Sequence, residues 1–192
     1  MKYFPPFTLE LTLALIKPHA AKVPHAVKAI ERKIIKNKFY IVKRCRCAMH
    51  LDHASRMYAE HKGKPFYKRL VEMMTSGPIE AFILAREDGI RTWRGLMGPT
   101  RALDAQYTQP TSLRGLYGLS NTRNATHGSD SPQSVFNEAG VFFPYFDICS
   151  WYDNDEEYFR NGYVRFCDET FVHVKEQNDA PKDLKVKNDE ST

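Results

Sequence analysis

The sequence predicts an α/β sandwich of the ferredoxin-like kind, a four-stranded antiparallel sheet with helices packed on it. Three observations carry that reading. A compact apolar run at 11–16, an alternating stretch at 39–49 and an apolar stretch at 79–84 have the length of strands. Between them lie segments whose apolar residues recur at three- and four-residue spacing, the mark of helices. The resulting order, β-α-β-α-α-β-α-loop-β-α, joins short strands by single helices and helix pairs, as an α+β domain does.

The first run, Leu11 to Ile16, stops at Lys17-Pro18. A lysine at the end of a buried strand is costly unless its ammonium meets a partner or a phosphate, or snorkels to an edge. Pro24 opens a helix with Val27, Ile30 and Ile34 on one face. The next strand spans Phe39 to Met49, with Phe39, Ile41, Cys45, Cys47 and Met49 on one side and Lys43 breaking the alternation. Asp52 is placed to cap a helix over 53–61, and Pro65 precedes another over 66–75, ended by Ser76-Gly77-Pro78. Ile79 to Leu84 is the third strand. Asp88 is placed to cap a helix to about Met97, closed by Gly98-Pro99. Residues 99–121 read as a long loop, and loops of that length are usually functional. A short fourth strand then leads into His127. The last clear helix, Ser131 to Phe143, takes Asp130 or Ser131 as its cap and Pro132 in its first turn, with Val135, Ala139 and Phe142 on one face.

A chain of 192 residues holds one domain with a proper core. The boundaries read as a lead-in over 1–9, a domain over 10–145, an extension over 146–174 whose Trp151, Tyr152, Tyr158 and Phe159 pack on the body, and a disordered polar tail over 175–192. No apolar run approaches the length of a bilayer span, which excludes a membrane helix. The four cysteines show no C-x-x-C spacing, and no secretory or Arg- and Ser-rich presequence is evident. We read the thiols as reduced, Cys45 and Cys47 as small buried hydrophobes, and the chain as intracellular, cytoplasmic or mitochondrial. Residues 1–150 carry 22 Lys and Arg against 12 Asp and Glu, and residues 151–192 carry 6 against 11. A basic body suits an anionic ligand such as a nucleotide, and would equally suit nucleic acid. No aromatic-plus-basic strand motif of an RNA module appears, which counts against the second.

The stretch Asn124-Ala125-Thr126-His127-Gly128-Ser129-Asp130-Ser131 concentrates the chemistry. A histidine just ahead of a helix N-terminus sits where a transferred phosphoryl group would meet free N–H groups and the positive dipole end. Gly128, lacking a Cβ, would let an anion approach the backbone.

This block, with Leu13-Ala14-Leu15-Ile16-Lys17-Pro18, His61-Lys62-Gly63-Lys64-Pro65-Phe66, Ser76-Gly77-Pro78, Arg94 through Met97-Gly98-Pro99-Thr100, and Leu113-Arg114-Gly115, resembles the nucleoside diphosphate kinase family, in its divergent second group. The resemblance covers about residues 10–145, and the N-x-x-H-G-S-D-S block is its most specific part.

What the resemblance implies is a phosphotransferase. His127 would take the γ-phosphoryl of ATP and pass it to a nucleoside diphosphate, so GTP, CTP and UTP are its products. Glu138 would orient the histidine through its other ring nitrogen, and Ser129 would hydrogen-bond the phosphohistidine or Glu138. Lys17, Arg94 and Arg114 would supply positive charge to the phosphates, with Thr100 and the Tyr58 hydroxyl as donors. Asn124 and Lys17 would reach the sugar hydroxyls, and Phe66 would stack on the base, a contact blind to base identity. Mg2+ would be held by phosphates and water, with no dedicated protein ligands. Read singly, Tyr58 and Phe66 are ordinary core aromatics and Arg94 an exposed charge; the ordered set is what assigns them.

Three departures from the family pattern stand out. His19 follows the lysine-proline pair where an acidic residue is usual, and Asn121 stands where an apolar second wall for the base is common. The loop between Thr100 and Arg114 is longer than in the common group, which argues against the family's usual hexamer. The loop and the extension therefore also admit a second role, a weakly active nucleotide-binding protein that mainly binds a protein partner.

Overall fold

The computed structural model describes residues 7–176. In chain order it contains β1 (Glu10–Ile16), α1 (Pro18–Ala21), α2 (Pro24–Lys36), β2 (Tyr40–Ala48), α3 (Leu51–Met57), α4 (Tyr67–Thr75), β3 (Pro78–Arg86) and α5 (Gly89–Met97). There follow α6 (Ala102–Thr108), α7 (Leu113–Tyr117), β4 (Thr126–Gly128), α8 (Pro132–Phe142), α9 (Ile148–Asn154), α10 (Glu156–Arg160), β5 (Val164–Cys167) and β6 (Val172–Lys175). The main sheet has the order β2-β3-β1-β4 with every pairing antiparallel, the ferredoxin-like sheet that the sequence predicts.

Both faces of this sheet are covered, which explains why β1 is apolar without interruption at its end. Leu11, Leu13 and Leu15 point with Ile83 and Ala81 into a core shared with Met74, Val135, Ala139 and Trp151. Ala14 and Ile16 point the other way with Phe82 and Leu84, against Ile30, Ile34 and Trp93. Val27, Ile30 and Ile34 are the buried face of α2, as their spacing predicts, and Pro24 opens it.

Several elements differ from the sequence reading, each for a local reason. In β2 the register slips between Ile41 and Lys43. The extra residue reverses the alternation: Phe39 and Ile41 join one core, while Val42, Cys45, Cys47 and Met49 join the other. Cys45 and Cys47 are half-buried rather than buried, and all four thiols are free. The helix expected over 53–61 starts two residues earlier and stops at Met57, followed by a separate 3-10 turn at Ala59–His61. Asp52 lies inside its first turn and does not cap it. Asp88 is likewise no side-chain cap: it adopts a left-handed backbone, φ 52°, and pairs with Arg91. Glu10 instead accepts the Ile90 N–H at 2.8 Å. The segment read as a loop over 99–121 holds α6 and α7. Their signal is weak because α6 buries only Ala102 and Ala105, and short α7 relies on Ser112, whose hydroxyl accepts the Gly115 N–H.

Leu9, assigned to the lead-in, is core: it is buried, and its N–H donates to Glu156 Oε1 at 2.8 Å. Tyr152 accepts the Leu11 N–H at 3.2 Å, and His173 Nδ1 accepts the Ile41 N–H at 2.9 Å. Trp151 and Phe159 enter the main core. Lys175, assigned to the tail, ends β6, and its ammonium pairs with Asp155 at 2.6 Å. Glu176 donates its N–H to the Tyr163 carbonyl at 2.9 Å, and residues 177–192 of that tail lie outside the described residues.

Candidate active site

β4 is three residues long and pairs with the last three of β1, placing His127 opposite Leu15 and Thr126 opposite Ile16. The Lys17 N–H continues the ladder to the Ala125 carbonyl at 2.8 Å. Ala125 has a positive φ of 67°, a turn that brings Asn124 back beside the strand end. Lys17 and His127 therefore reach one place because two antiparallel strands end together.

The His127 Nε2 lies 3.0 Å from Glu138 Oε2, and the Ser129 hydroxyl donates to the same oxygen at 2.6 Å. Glu138 sits on α8, whose start is fixed by Ser131: its hydroxyl accepts the Ser134 N–H at 3.1 Å, while Asp130 accepts from the Ser134 hydroxyl. Burial pushes the Glu138 carboxyl up, but the bond and charge of His127 and the bond from Ser129 outweigh it and hold it below its ordinary value. An ionised carboxylate only accepts, so Nε2 carries a proton, and in the uncharged form of the ring the lone pair lies on Nδ1. Among the described residues Nδ1 has no hydrogen-bond partner.

His127 lines an open cleft of about 1440 Å³ that also receives Lys17, Tyr58, Phe66, Arg94, Thr100, Arg114, Asn124 and Glu138. Every sequence-predicted site residue except Ser129 is among its lining; Ser129 is buried beneath it against Glu138. Lys17 is buried and donates to Asn124 Oδ1 at 2.6 Å, while Asn124 Nδ2 donates to the Thr100 carbonyl at 2.9 Å. Burial, and then the Arg114 charge, pull the Lys17 ammonium down to about 7. Arg114 is also buried: it donates to the Gly98 carbonyl at 2.8 Å and to the Thr100 hydroxyl at 3.4 Å. Burial, then Arg94, lower it to about 10, so it stays a cation at neutral pH. Its Nε and the Tyr58 hydroxyl are buried without a hydrogen-bond partner. Burial and Glu138 push the Tyr58 phenol up, which keeps it a donor.

Phe66 stands at the mouth, 38% exposed and edge-on to His61, with the ring centroids 5.5 Å apart. Asn121 is exposed on the lining, with Ser120 and Thr122 as neighbours. His19 is half-buried, and burial followed by Lys17 pushes it down to about 4, so it is neutral where the acidic residue would be charged.

Sequence reasoning missed His53, Arg56, Arg69 and Arg101, which add basic groups to the cleft. His53, Arg56 and Met57 share one face of α3 at helical spacing, but that spacing does not tell a cleft-facing side from a solvent-facing one. The role expected of Gly128 is also different. A Cβ there would collide with the Trp93 indole, so the glycine admits a side chain of the core and not an anion.

The carboxylates on the lining are Glu60, Asp130 and Glu138, against the cations Lys17, Arg56, Arg69, Arg94, Arg101 and Arg114. Among the described residues, no three His, Cys, Asp or Glu side chains gather as a metal site. Such a lining suits a polyanion. None of the helices described is long and apolar enough to cross a membrane.

The family model described as nucleoside diphosphate kinase matches residues 10–148. The chain is 47% identical over 177 residues to nucleoside diphosphate kinase 6 of Mus musculus, covering 92% of this chain and 94% of that protein. The fold superposes on the nucleoside diphosphate kinase of Aquifex aeolicus with a TM-score of 0.68 and 33% identity, over 73% of this chain and 97% of that one. It superposes on that of Halobacterium salinarum, solved in complex with CDP, with a TM-score of 0.66 and 30% identity, over 74% and 97%.

Proposed function

The chain belongs to the nucleoside diphosphate kinase family, and we propose that it catalyses the family reaction, moving the γ-phosphoryl of ATP to a nucleoside diphosphate through His127. The observation that carries this reading is the Glu138 contact on His127 Nε2, which leaves the Nδ1 lone pair unengaged in a cleft lined by cations.

Nδ1 attacks the γ-phosphorus; the N–P bond forms as the bond to the β,γ-bridging oxygen breaks, and the nucleoside diphosphate leaves with that electron pair. The ring gains positive charge, which Glu138 balances across the Nε2 proton that stays in place. In the return step a terminal oxygen of the acceptor diphosphate attacks phosphorus, the N–P bond breaks, and the imidazole is restored. Lys17, Arg94 and Arg114 balance the charge on the oxygens, which is most of what phosphoryl transfer asks of a protein. The orphaned Tyr58 hydroxyl and Arg114 Nε supply donors that a phosphate oxygen satisfies. Mg2+ enters as part of the substrate, on phosphate oxygens and water. The cation-rich lining fits that arrangement better than a resident metal. Phe66 stacks on the base, and the Halobacterium relative's complex with CDP supports a nucleotide in this cleft.

Incubation with γ-labelled ATP and Mg2+ tests the reading. The wild type should take up label that survives alkali, is lost in acid and is chased onto GDP; His127→Ala should take up none. Bound ATP without label on the wild type would refute it.

A further inference from the structure

We propose that Trp93 is a positioning residue for His127, seating the nucleophile from α5; the inference rests on the phosphotransfer reading above. The indole Nε1–H donates to the main-chain carbonyl of His127 at 3.1 Å. The same ring lies against Gly128 so closely that a Cβ there would overlap its Cδ1 and Nε1, and would come within 3.0 Å of Met97 Cε. Two consecutive residues of the shortest strand in the main sheet are thus held by one side chain: His127 by a hydrogen bond, Gly128 by contact.

The clamp is itself rigid. Trp93 is 1% exposed and packs edge-on against Phe39, centroids 6.4 Å apart, inside the core shared with α2. A buried indole N–H needs an acceptor, and the His127 carbonyl is the one it has. The next residue on α5 is Arg94, which lines the cleft. A single helix therefore carries both the side chain that holds the backbone under the nucleophile and a cation for the phosphate. Glu138 orients the imidazole from α8 on one side, and Trp93 fixes the main chain that carries it on the other. Reaction requires Nδ1 within a near-attack distance of phosphorus, and displacements of a fraction of an ångström cost rate and not binding.

The test uses the full chain with two variants, Trp93→Phe and an isostere carrying 3-benzothienylalanine at position 93, which keeps the ring volume and lacks only the N–H. Single-turnover phosphorylation of His127 is followed with γ-labelled ATP and separately with phosphoramidate, a donor with no nucleotide. Loss of the hydrogen bond should slow labelling about tenfold with both donors, with the ATP concentration for half-maximal rate unchanged within about twofold. Wild-type rates in the isostere overturn the proposal, as does slowing confined to ATP, which would place Trp93 in nucleotide binding. If Trp93→Phe fails to fold, the isostere decides. Wild type labelled by phosphoramidate but not by ATP would sink the kinase reading while the phosphoramidate rates still judge Trp93; wild type labelled by neither overturns both.

Discussion

Lys17 and Asn124, 107 residues apart in the chain, meet through a 2.6 Å hydrogen bond from the ammonium to the amide oxygen. The ammonium is buried and, among the described residues, pairs with no carboxylate; burial reinforced by Arg114 brings it to about 7. The unfolded value is 10.5, so the cost of burying the charge is fully present below pH 7 and is relieved as pH rises from 7 to 10.5. A bound phosphate reverses the balance by favouring the charged form. Nucleotide binding at pH 8 should therefore take up a proton, approaching one per site and vanishing toward pH 6, with affinity falling as pH rises through 7. Calorimetry in buffers of different ionisation enthalpy measures this directly; a buffer-independent enthalpy at pH 8 would contradict it, and Lys17→Met should abolish the uptake.

Glu138→Gln keeps the size of the side chain but removes the negative charge on His127 Nε2. We expect phosphoenzyme formation to fall about a hundredfold with the apparent ATP affinity nearly unchanged. Ser129→Ala removes one donor to the same oxygen and should cost about tenfold. Rapid-quench labelling gives both rates; an equal loss in the two variants would show that the charge of Glu138 is not what matters.

Phe66→Ala should raise KM about tenfold for ATP, GTP and CTP alike, because a stacking surface loses affinity without regard to the base edge. Steady-state kinetics with several triphosphates would expose any unequal loss, and a selective effect would transfer base recognition to Asn121 and its neighbours.

Glu156→Ala leaves the buried Leu9 N–H without its acceptor and Arg160 without its partner. Urea unfolding should show a loss of about 1–3 kcal/mol, with Glu156→Gln recovering part of it because an amide oxygen still accepts. An unchanged midpoint in the alanine variant would mean that the Glu156 bond to Leu9 adds nothing to stability.

The elements legible in the sequence are those with a strong local signature. β1, α2, β3 and α8 announce themselves by apolar periodicity and by Pro24, Pro132 and Ser131 at their starts. α6 and α7 do not, since alanine buries too little area to stand out and Leu103 and Tyr107 are exposed. The motifs, through the family they resemble, name all the proposed site residues that line the cleft, from Lys17 to Glu138. His53, Arg56 and Arg69 escaped because a charged residue on a short helix looks alike whether it faces a cleft or bulk water.

The sequence by itself determined which chemical groups are on hand for the proposed site, because the residue types in the His127 block, with Lys17, Arg94 and Arg114, are local facts that survive any arrangement of the backbone. It also determined where most strands and helices lie, since strand length and helical spacing are local patterns of the chain. Only the tertiary structure decided which nitrogen of His127 is engaged, that Lys17 is stripped of water, and that Gly128 makes room for Trp93. Those outcomes depend on burial and on contacts between residues far apart in the chain, and no local pattern encodes the solvent a side chain loses or the atom that ends up against it.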